Sequence, residues 1–322
     1  MPYYPQGQKN PQKDPPPKGH TVLRRVLLCL SALLVGYGVC RLAGYGIDWV
    51  YSRITSRELR QIAASAAPPA ETVTVGTPEP HTPEPETASP VPLAVPAAVP
   101  SEAPAAKSVL LPAVNYPNGL QVSPRIRELR KKSEYIVGWL TVDSLDEPVV
   151  QKDNEFFLDH DAAGRRNGNG AIFMDEDTLL MTRPYTFLLF GHNMKTGAMF
   201  GNLRKYEQFS YFSRHRIIRF DTLYEEGQYA VFSVATIRLT PGTAGYLNLA
   251  ELRSSVRKTR KKALGTLTAL SVHSNILDVN EEDQLLLLVT CVGDDDQRLV
   301  IAARRLREKE TPENLNLIRN NP

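Results

Sequence analysis

The sequence predicts a mainly β domain, either a barrel or a sandwich, in the last two thirds of the chain. At least seven short runs of β-branched and aromatic residues follow one another between residues 135 and 306, and few helical patterns separate them. Proline marks where this domain begins, because 19 of the 25 prolines lie before Asn118. With 42% hydrophobic and 23% charged residues, the chain can bury one core beside accessory segments.

The N-terminal third is divided by its composition into four segments. Residues 1–25 are basic and proline-rich, and we expect a cytoplasmic tail. Residues 26–50 begin with the apolar run VLLCLSALLVGYGVC and predict a transmembrane anchor with its N-terminus inside. A cleaved signal peptide is the alternative, but no small-x-small cleavage site follows promptly. Residues 51–66 have a helical composition, and residues 67–117 are rich in Pro and Ala, which favours an extended extracellular stalk.

The domain, residues 118–308, begins with a helix and continues mainly as strands. Ser123 is placed as an N-cap ahead of Pro124. A second helix is predicted over residues 250–264, where the basic run indicates a solvated face, and the tail at 309–322 is polar. The predicted strands are residues 135–145, 147–151, 170–175, 185–193, 215–223, 228–239, 284–291 and 298–306.

Charge and cysteine content exclude several classes of protein. A net charge of +3 is too small to indicate a nucleic-acid-binding protein, and no basic patch interleaved with aromatic residues accompanies it. Of the three cysteines, Cys29 and Cys40 lie in the apolar N-terminal run, which leaves Cys291 alone in the domain. A single thiol excludes a disulfide framework or a zinc site within the domain.

Two apolar strands run into side chains that can do chemistry. One strand ends in Cys291, and another enters a Gly-His-Asn turn that carries His192. A thiol with a pKa of about 8.5 is mostly protonated at neutral pH, so a nucleophilic Cys291 needs a neighbouring base such as a histidine. Arg298 starts the strand that follows a predicted hairpin loop. We therefore expect it beside Cys291, where a guanidinium can stabilise an oxyanion.

A purely structural interpretation of the same residues is also open. A cysteine at the end of a strand is often a small buried hydrophobe. A histidine in such a turn can serve as a hydrogen-bonding loop residue, and Arg298 can pair with the aspartates at 294–296. Spacing alone does not decide between the catalytic and the structural interpretation.

From about Asn118 to Leu306 the sequence resembles the sortases, and in particular their class B branch. The matching stretches, in order, are IVGWLTVD with PVVQ, then DNEFFLDHD, GAIFMDE, FGHNMKTGAMFGNL, and LLLVTC with Arg298 behind it. The block GHNM-x-x-G-x-MF and the terminal TC are specific in combination, and the anchor with its stalk matches the family's layout. The resemblance implies a sortase-like eight-stranded β-barrel with an N-terminal helix and a helix in the long connection before the cysteine strand.

The resemblance also implies roles for four residues. His192 matches the catalytic histidine, Cys291 the nucleophile and Arg298 the catalytic arginine. Thr290 matches a substrate-binding position, and we assign Asn193 to substrate binding as well.

The loop between the cysteine and the arginine is shorter here than in many relatives. We therefore also consider other residues as the catalytic arginine or as an assisting acid. Arg304 and Arg305 are the alternative arginines on the same strand. The aspartates at 294–296 are weak candidates for an assisting acid. In the family, His160 belongs to a structural turn, and we expect it to be hydrogen-bonded scaffold.

The implied activity is that of a single-pass, membrane-anchored cysteine transpeptidase whose catalytic domain is extracellular. Cys291 would cut a C-terminal sorting motif of secreted proteins, hold the acyl part as a thioester, and pass it to an amine of a peptidoglycan precursor. The reaction requires no cofactor and no metal. Its partners would be the sorted proteins, the amine acceptor and the membrane, and not nucleic acid.

Three alternative functions stay open. The first is a pilus-polymerising sortase that joins subunits through lysine, although the polar C-terminal tail offers no second membrane helix. The second is a cell-wall transpeptidase acting on D-amino-acid linkages, in which histidine and cysteine lie close in sequence, unlike His192 and Cys291. The third is a non-catalytic surface module on a stalk.

Overall fold

Eight strands close into one barrel, which confirms the fold class expected from the sequence. The computed structural model describes residues 18–66, 116, 119–274, 277–293 and 296–315. The strands are β1 Ile136–Val142, β2 Leu145–Val150, β3 Ile172–Met174, β4 Thr186–Phe190, β5 Ile217–Thr222, β6 Gln228–Arg238, β7 Leu285–Cys291 and β8 Gln297–Arg305. Around the barrel they follow the order β1-β2-β3-β4-β7-β8-β6-β5.

Helices accompany the barrel, some of them at positions that the sequence predicted. Within the described residues, the α-helices are α1 Lys18–Ser65, α2 Pro124–Arg130, α3 Phe209–Phe212 and α4 Arg257–Ala269. Short 3-10 helices cover Phe156–Leu158, Gly201–Glu207 and Leu249–Arg253. The Ser123 hydroxyl accepts a hydrogen bond from the Ile126 amide, so α2 begins at the predicted cap.

Two features of the topology bring distant parts of the chain together. β7 and β8 form an antiparallel hairpin in which Cys291 lies opposite Arg298. β4 and β7 are parallel neighbours, with Phe190 level with Val289, although they are far apart in sequence. Parallel strands end at the same edge of a sheet. The segment that follows β4 therefore emerges beside the C-terminal end of β7.

β7 is buried on both faces, which explains its uninterrupted apolar run. Successive side chains of a strand point to opposite faces. Leu286 and Leu288 pack in the cluster inside the barrel, whereas Leu287 and Val289 pack in a second cluster that includes Leu267 of α4. Burial contributes about 1.5–3 kcal/mol for each such side chain. The strand that carries the cysteine is thus fixed from both sides.

The connection between β6 and β7 differs from its prediction. The sequence predicted one helix over residues 250–264, but a 3-10 turn occupies its first part, because the Asn248 side chain caps that turn by accepting from the Ala250 amide. The basic run is not entirely a solvated face. Arg260 is buried, stacks over the Tyr185 ring, and donates from Nε to the Glu281 carbonyl.

The end of α1 packs against the barrel. Residues from Ser52 onward belong to the compact unit Ser52–Pro322, and Met1–Tyr51 form a separate unit. Leu59 and Ala63 are buried in a cluster with Trp139. This agrees with the helix predicted over residues 51–66. Among the helical residues that the structure describes, no stretch is both long and apolar enough to cross a membrane.

Several predicted segments lie largely outside the described residues. The basic tail 1–25 is described only from residue 18, and the proline-rich segment 67–117 only at Tyr116. The polar tail 309–322 is described as far as residue 315. The assignments of these segments as tail and stalk stay predictions.

Candidate active site

Cys291 and Arg298 face each other at one end of the barrel. Cys291 is the last residue of β7, is solvent-exposed, and pairs across the hairpin with Arg298 near the start of β8. Directly opposed residues of an antiparallel pair point to the same face with Cβ atoms about 4.5–5.5 Å apart. Gly293, two residues after Cys291, has φ +64°, a backbone conformation that favours glycine. The register of the hairpin therefore places the arginine beside the thiol.

Asp296 holds this turn against the end of β6. Its Oδ1 accepts hydrogen bonds from the Thr240 hydroxyl at 2.6 Å and the Thr240 amide at 2.7 Å, and its Oδ2 accepts from Arg238 Nη1 at 3.1 Å. The Thr240 hydroxyl, followed by Arg238 and nearby amides, lowers the pKa of the Asp296 carboxyl despite partial burial. The carboxylate thus stabilises the hairpin. Asp294 and Asp295 lie outside the described residues.

The Arg298 guanidinium donates from Nη1 to the Gln297 carbonyl at 2.9 Å, and the side chain is half-buried. The two alternative arginines lie elsewhere. Arg304 is completely buried and donates to the Glu310 carboxylate, and Arg305 pairs with Glu225 at 3.2 Å. Six residues along a strand span about 20 Å. Of the three arginines, Arg298 is therefore the one at the cysteine end of β8.

Three hydrogen bonds attach the turn that carries His192 to β7. The Gly191 amide donates to the Val289 carbonyl at 3.3 Å, and the Thr290 hydroxyl donates to the Gly191 carbonyl at 2.7 Å. The Asn193 amide nitrogen Nδ2 donates to the Cys291 carbonyl at 2.8 Å. His192 lies between two residues bonded to the strand of the cysteine. The structure thus brings the three predicted catalytic residues to one barrel end.

These contacts also show what the two predicted substrate-binding residues bond to in the structure. Thr290 is buried, and its hydroxyl is used in the bond to Gly191. Asn193 is half-buried, and its amide is used in the bond to Cys291. Both residues fix the distance between the turn and the strand. Their contact with substrate stays a prediction.

The His192 ring has a partner that sequence reasoning missed. Nε2 lies 2.6 Å from the carbonyl oxygen of Leu158, the last residue of the 3-10 helix Phe156–Leu158. Gly170 packs against the same edge of the ring, since a Cβ on it would lie 3.0 Å from His192 Cδ2. A backbone carbonyl leaves no signature in a sequence. The glycine, at φ +63°, was visible only as part of a glycine-rich turn.

The other described histidines of the domain have local partners. His160 is scaffold, as expected, because its Nδ1 lies 2.8 Å from the Phe156 carbonyl and its ring stacks on Phe156. His215 pairs with Asp143 at 3.2 Å. His273 Nε2 lies 2.7 Å from the Tyr206 carbonyl. Within the described part of the chain, no group of His, Cys, Asp or Glu is arranged to hold a metal ion.

A barrel with an exposed thiol opposite a guanidinium, and an imidazole on the adjoining turn, has the groups that a cysteine-dependent acyl-transfer enzyme requires. The comparison with known families agrees with this class of enzyme. The family model for the sortase domain matches residues 140–306, just over half of the chain. The chain belongs to the sortase family and is an enzyme of the cysteine transpeptidase class.

The relatives indicate a sortase B-like member. Sortase B of Listeria monocytogenes is 28% identical over 193 residues, covering 57% of this chain and 75% of that protein. Sortase B of Staphylococcus aureus is 28% identical over 194 residues, covering 58% and 76%. A solved sortase B of Bacillus anthracis in complex with AAEK2 is 29% identical, with a TM-score of 0.52 over 63% of this chain and 91% of that one.

A sortase B–substrate complex of S. aureus is 26% identical, with a TM-score of 0.51 over 59% of this chain and 88% of that one. These similarities support the class B assignment made from the motifs.

Proposed function

We propose that this chain is a membrane-anchored sortase that attaches secreted proteins to the cell wall. In this proposal residues 26–50 anchor it in the cell membrane with the catalytic domain outside. Cys291 cuts a C-terminal sorting motif and passes the acyl part to an amine of a peptidoglycan precursor. The observation that best supports it is the pairing of Cys291 with Arg298, with the His192 turn bonded to the same strand.

The first half-reaction forms a thioester. The Cys291 thiolate attacks the backbone carbonyl of a residue in the sorting motif, and the Arg298 guanidinium stabilises the oxyanion that develops. His192 gives a proton to the departing amine as the C–N bond breaks. The exposure of the thiol allows an extended peptide to reach it.

The second half-reaction resolves the thioester. An amine attacks the carbonyl carbon, the C–S bond breaks, and His192 takes up the proton that the new amide nitrogen releases. Thiolate and imidazolium are thereby restored. Positioning of the three groups and oxyanion stabilisation supply most of the rate enhancement.

The proposal is tested with the full-length chain in detergent, incubated with a panel of sorting-motif peptides. Mass spectrometry is expected to find an acyl adduct on Cys291, and an added amine is expected to release it as a new amide. Because Cys29 is also an exposed thiol, the Cys29→Ala variant serves as a matched control that keeps the adduct.

Cys291→Ala is expected to lose the adduct. An adduct that persists in Cys291→Ala, or no adduct with any peptide, would contradict the proposal, and the latter result would favour a non-catalytic surface module. Transfer to the side chain of a lysine peptide in preference to peptidoglycan amines would instead favour a pilus-polymerising sortase.

A further inference from the structure

The ring of His192 is held on one edge and open on the other. The Leu158 carbonyl lies 2.6 Å from Nε2, and Gly170 packs against Cδ2, the carbon next to Nε2. A carbonyl oxygen only accepts hydrogen bonds, so Nε2 must carry a proton to make this contact. Among the described residues, Nδ1 on the opposite edge has no protein partner at hydrogen-bond distance.

We infer that the Leu158 carbonyl is a positioning group that fixes His192 with its proton on Nε2, so that Nδ1 exchanges the proton in acyl transfer. This inference rests on the proposed function and adds to it the identity of the acid–base nitrogen. With Nε2–H occupied, a neutral His192 has its lone pair on Nδ1. A protonated His192 carries a second proton on Nδ1, and this proton can be transferred.

Both proton transfers of the reaction then take place at Nδ1. The resting imidazolium holds Nε2–H on Leu158 and Nδ1–H toward the thiolate of Cys291. When the scissile C–N bond breaks, the Nδ1 proton passes to the leaving amine and its lone pair remains on Nδ1. When the acceptor amine forms the new C–N bond, Nδ1 takes that amine's proton and the C–S electrons return to sulfur. Nε2–H keeps its partner throughout.

The carbonyl is presented by a rigid element. Asp153 Oδ1 accepts from the Glu155 amide at 3.0 Å and the Phe156 amide at 2.6 Å, which starts the 3-10 helix. These two backbone amides lower the pKa of the Asp153 carboxyl. Phe157 is completely buried. The carbonyl that follows it therefore has little freedom to move away from His192.

Gly170 packs on the same edge of the ring as the Leu158 carbonyl. Its amide donates to the Asn167 carbonyl, and the next residue, Ala171, donates its amide to the Phe157 carbonyl at 3.0 Å. A Cβ at Gly170 would lie 2.5 Å from the Phe157 carbonyl oxygen, 2.9 Å from the Leu158 carbonyl oxygen and 3.0 Å from His192 Cδ2. Substitution with alanine must therefore shift both carbonyls relative to the ring, in addition to straining a backbone at φ +63°.

The chain supplies a matched control for that strain. Gly164 lies in the same loop at φ +77°, and an added Cβ there would meet only the Tyr135 ring, at 3.0 Å for the nearest atom. Gly164→Ala and Gly170→Ala therefore carry the same kind of backbone strain. They differ in what the new methyl group meets: the Phe157 and Leu158 carbonyls and the His192 ring at position 170, but only the Tyr135 ring at position 164.

The test uses the full-length protein with 15N-labelled histidine, and His192→Asn identifies the signals. At a pH high enough to make His192 neutral, we expect a proton resonance bonded to Nε2 and a pyridine-type signal for Nδ1. Gly164→Ala keeps both, and Gly170→Ala loses the Nε2–H resonance. A proton resonance on Nδ1 of neutral His192, or identical spectra for the two glycine variants, would overturn the inference.

Activity gives the second readout. Gly170→Ala is expected to lower the acylation rate by about 10-fold or more, within the usual range of acid–base effects, with little change in KM. Gly164→Ala is expected to stay within about 2-fold of wild type. An equal loss in both variants would show that loop strain, not the carbonyl, is responsible.

Should Gly170→Ala not fold, an ester bond between Leu158 and Asp159, introduced with the α-hydroxy acid analogue of Asp159, keeps every side chain and weakens the Leu158 carbonyl as an acceptor. It is expected to move the Nε2–H resonance and slow acylation, and an unchanged spectrum and rate would overturn the inference. If no peptide acylates Cys291 in the wild type, the proposed function fails, while the spectra still decide the tautomer.

Discussion

Replacing Arg60 with methionine is expected to loosen the helical segment at residues 52–65 from the barrel. Arg60 Nη2 lies 2.6 Å from Glu147 Oε1, and its Nε donates to the Asp146 carbonyl at 2.7 Å. The Ser56 hydroxyl donates to the other Glu147 oxygen at 2.8 Å. Methionine keeps the apolar stem of arginine, about as far as Nε, but removes both the charge and the donors. The variant leaves Glu147 with a single partner.

The magnitude follows from the exposure of the two side chains. Glu147 is 13% exposed and Arg60 is 41% exposed. Removing one partner of a fully buried pair costs about 3–5 kcal/mol, whereas an exposed pair contributes about 0–1 kcal/mol. Since only the carboxylate is buried, we expect Arg60→Met to lower the free energy of unfolding by about 2 kcal/mol.

The loss is expected to depend on pH in a defined direction. Burial raises the pKa of the Glu147 carboxyl, against the lowering effect of Arg60 and Ser56. Without Arg60 that pKa rises further. A carboxyl whose folded pKa is raised contributes stability at low pH that is lost as the pH rises through that pKa. The variant loses more of this stability than the wild type. The difference in the free energy of unfolding between the two proteins is therefore larger at about pH 8 than at about pH 5.

Urea unfolding of the unit Ser52–Pro322 measures this effect. Trp139 is buried with the same helix and is the one tryptophan of that unit, so its fluorescence reports the contact. Lys132→Met is the matched control, because Lys132 also pairs with this helix, at 2.7 Å from Glu58, but both side chains are more than half exposed. We expect about 0–1 kcal/mol there. Equal small effects for both variants, or a difference that grows on acidification, would refute the reasoning.

Four further outcomes are expected. Asp296→Ala frees the hairpin turn and lowers kcat/KM about 10-fold; a variant with wild-type turnover would contradict the positioning role. Arg298→Lys keeps the charge but loses the planar fork, so the acylation rate should drop about 100-fold in stopped-flow assays, and a near-normal rate would remove Arg298 from oxyanion binding. Gly201→Ala places a methyl group on the Met194 carbonyl and should cost about 2 kcal/mol or more in urea unfolding, while Gly265→Ala, where nothing lies within 4 Å, should not destabilise. Halving the proline-rich segment should change the free energy of unfolding by only about 0.6 kcal/mol and leave turnover of membrane-bound substrate unchanged.

The strands and the cysteine hairpin could be predicted from sequence because their signals are local. The apolar run of β7, its terminal Cys291 and the spacing to Arg298 all lie within about twenty residues of sequence. The burial of Arg260 was not predictable, because it depends on Tyr185 and Glu281, which other parts of the fold supply. Local patterns report which residues alternate or cap. They do not report which polar groups the fold brings together.

The partner of His192 is a second contact that local sequence patterns could not predict. The motif around His192 indicated a catalytic histidine, but motifs consist of side chains and the group that orients the ring is the carbonyl of Leu158. Any residue at that position has a carbonyl. Only the backbone path of the 3-10 helix, and a glycine that lets it approach, determine where that oxygen lies.

The docked helix also changes the role that we expect for the proline-rich segment. Residues 52–65 pack on the barrel unit, and they follow the predicted anchor, which ends at residue 50, almost directly. Tyr116, after the proline-rich segment, is buried in the same unit, where its hydroxyl donates to the Leu180 carbonyl. A spacer joins two bodies, whereas this segment joins one body to itself. Its length then determines a loop-closure entropy, which varies slowly with length, and not the distance of Cys291 from the membrane. Composition predicts that such a segment does not form a core. Whether it is a stalk or a loop depends on whether its two ends attach to different bodies or to the same one.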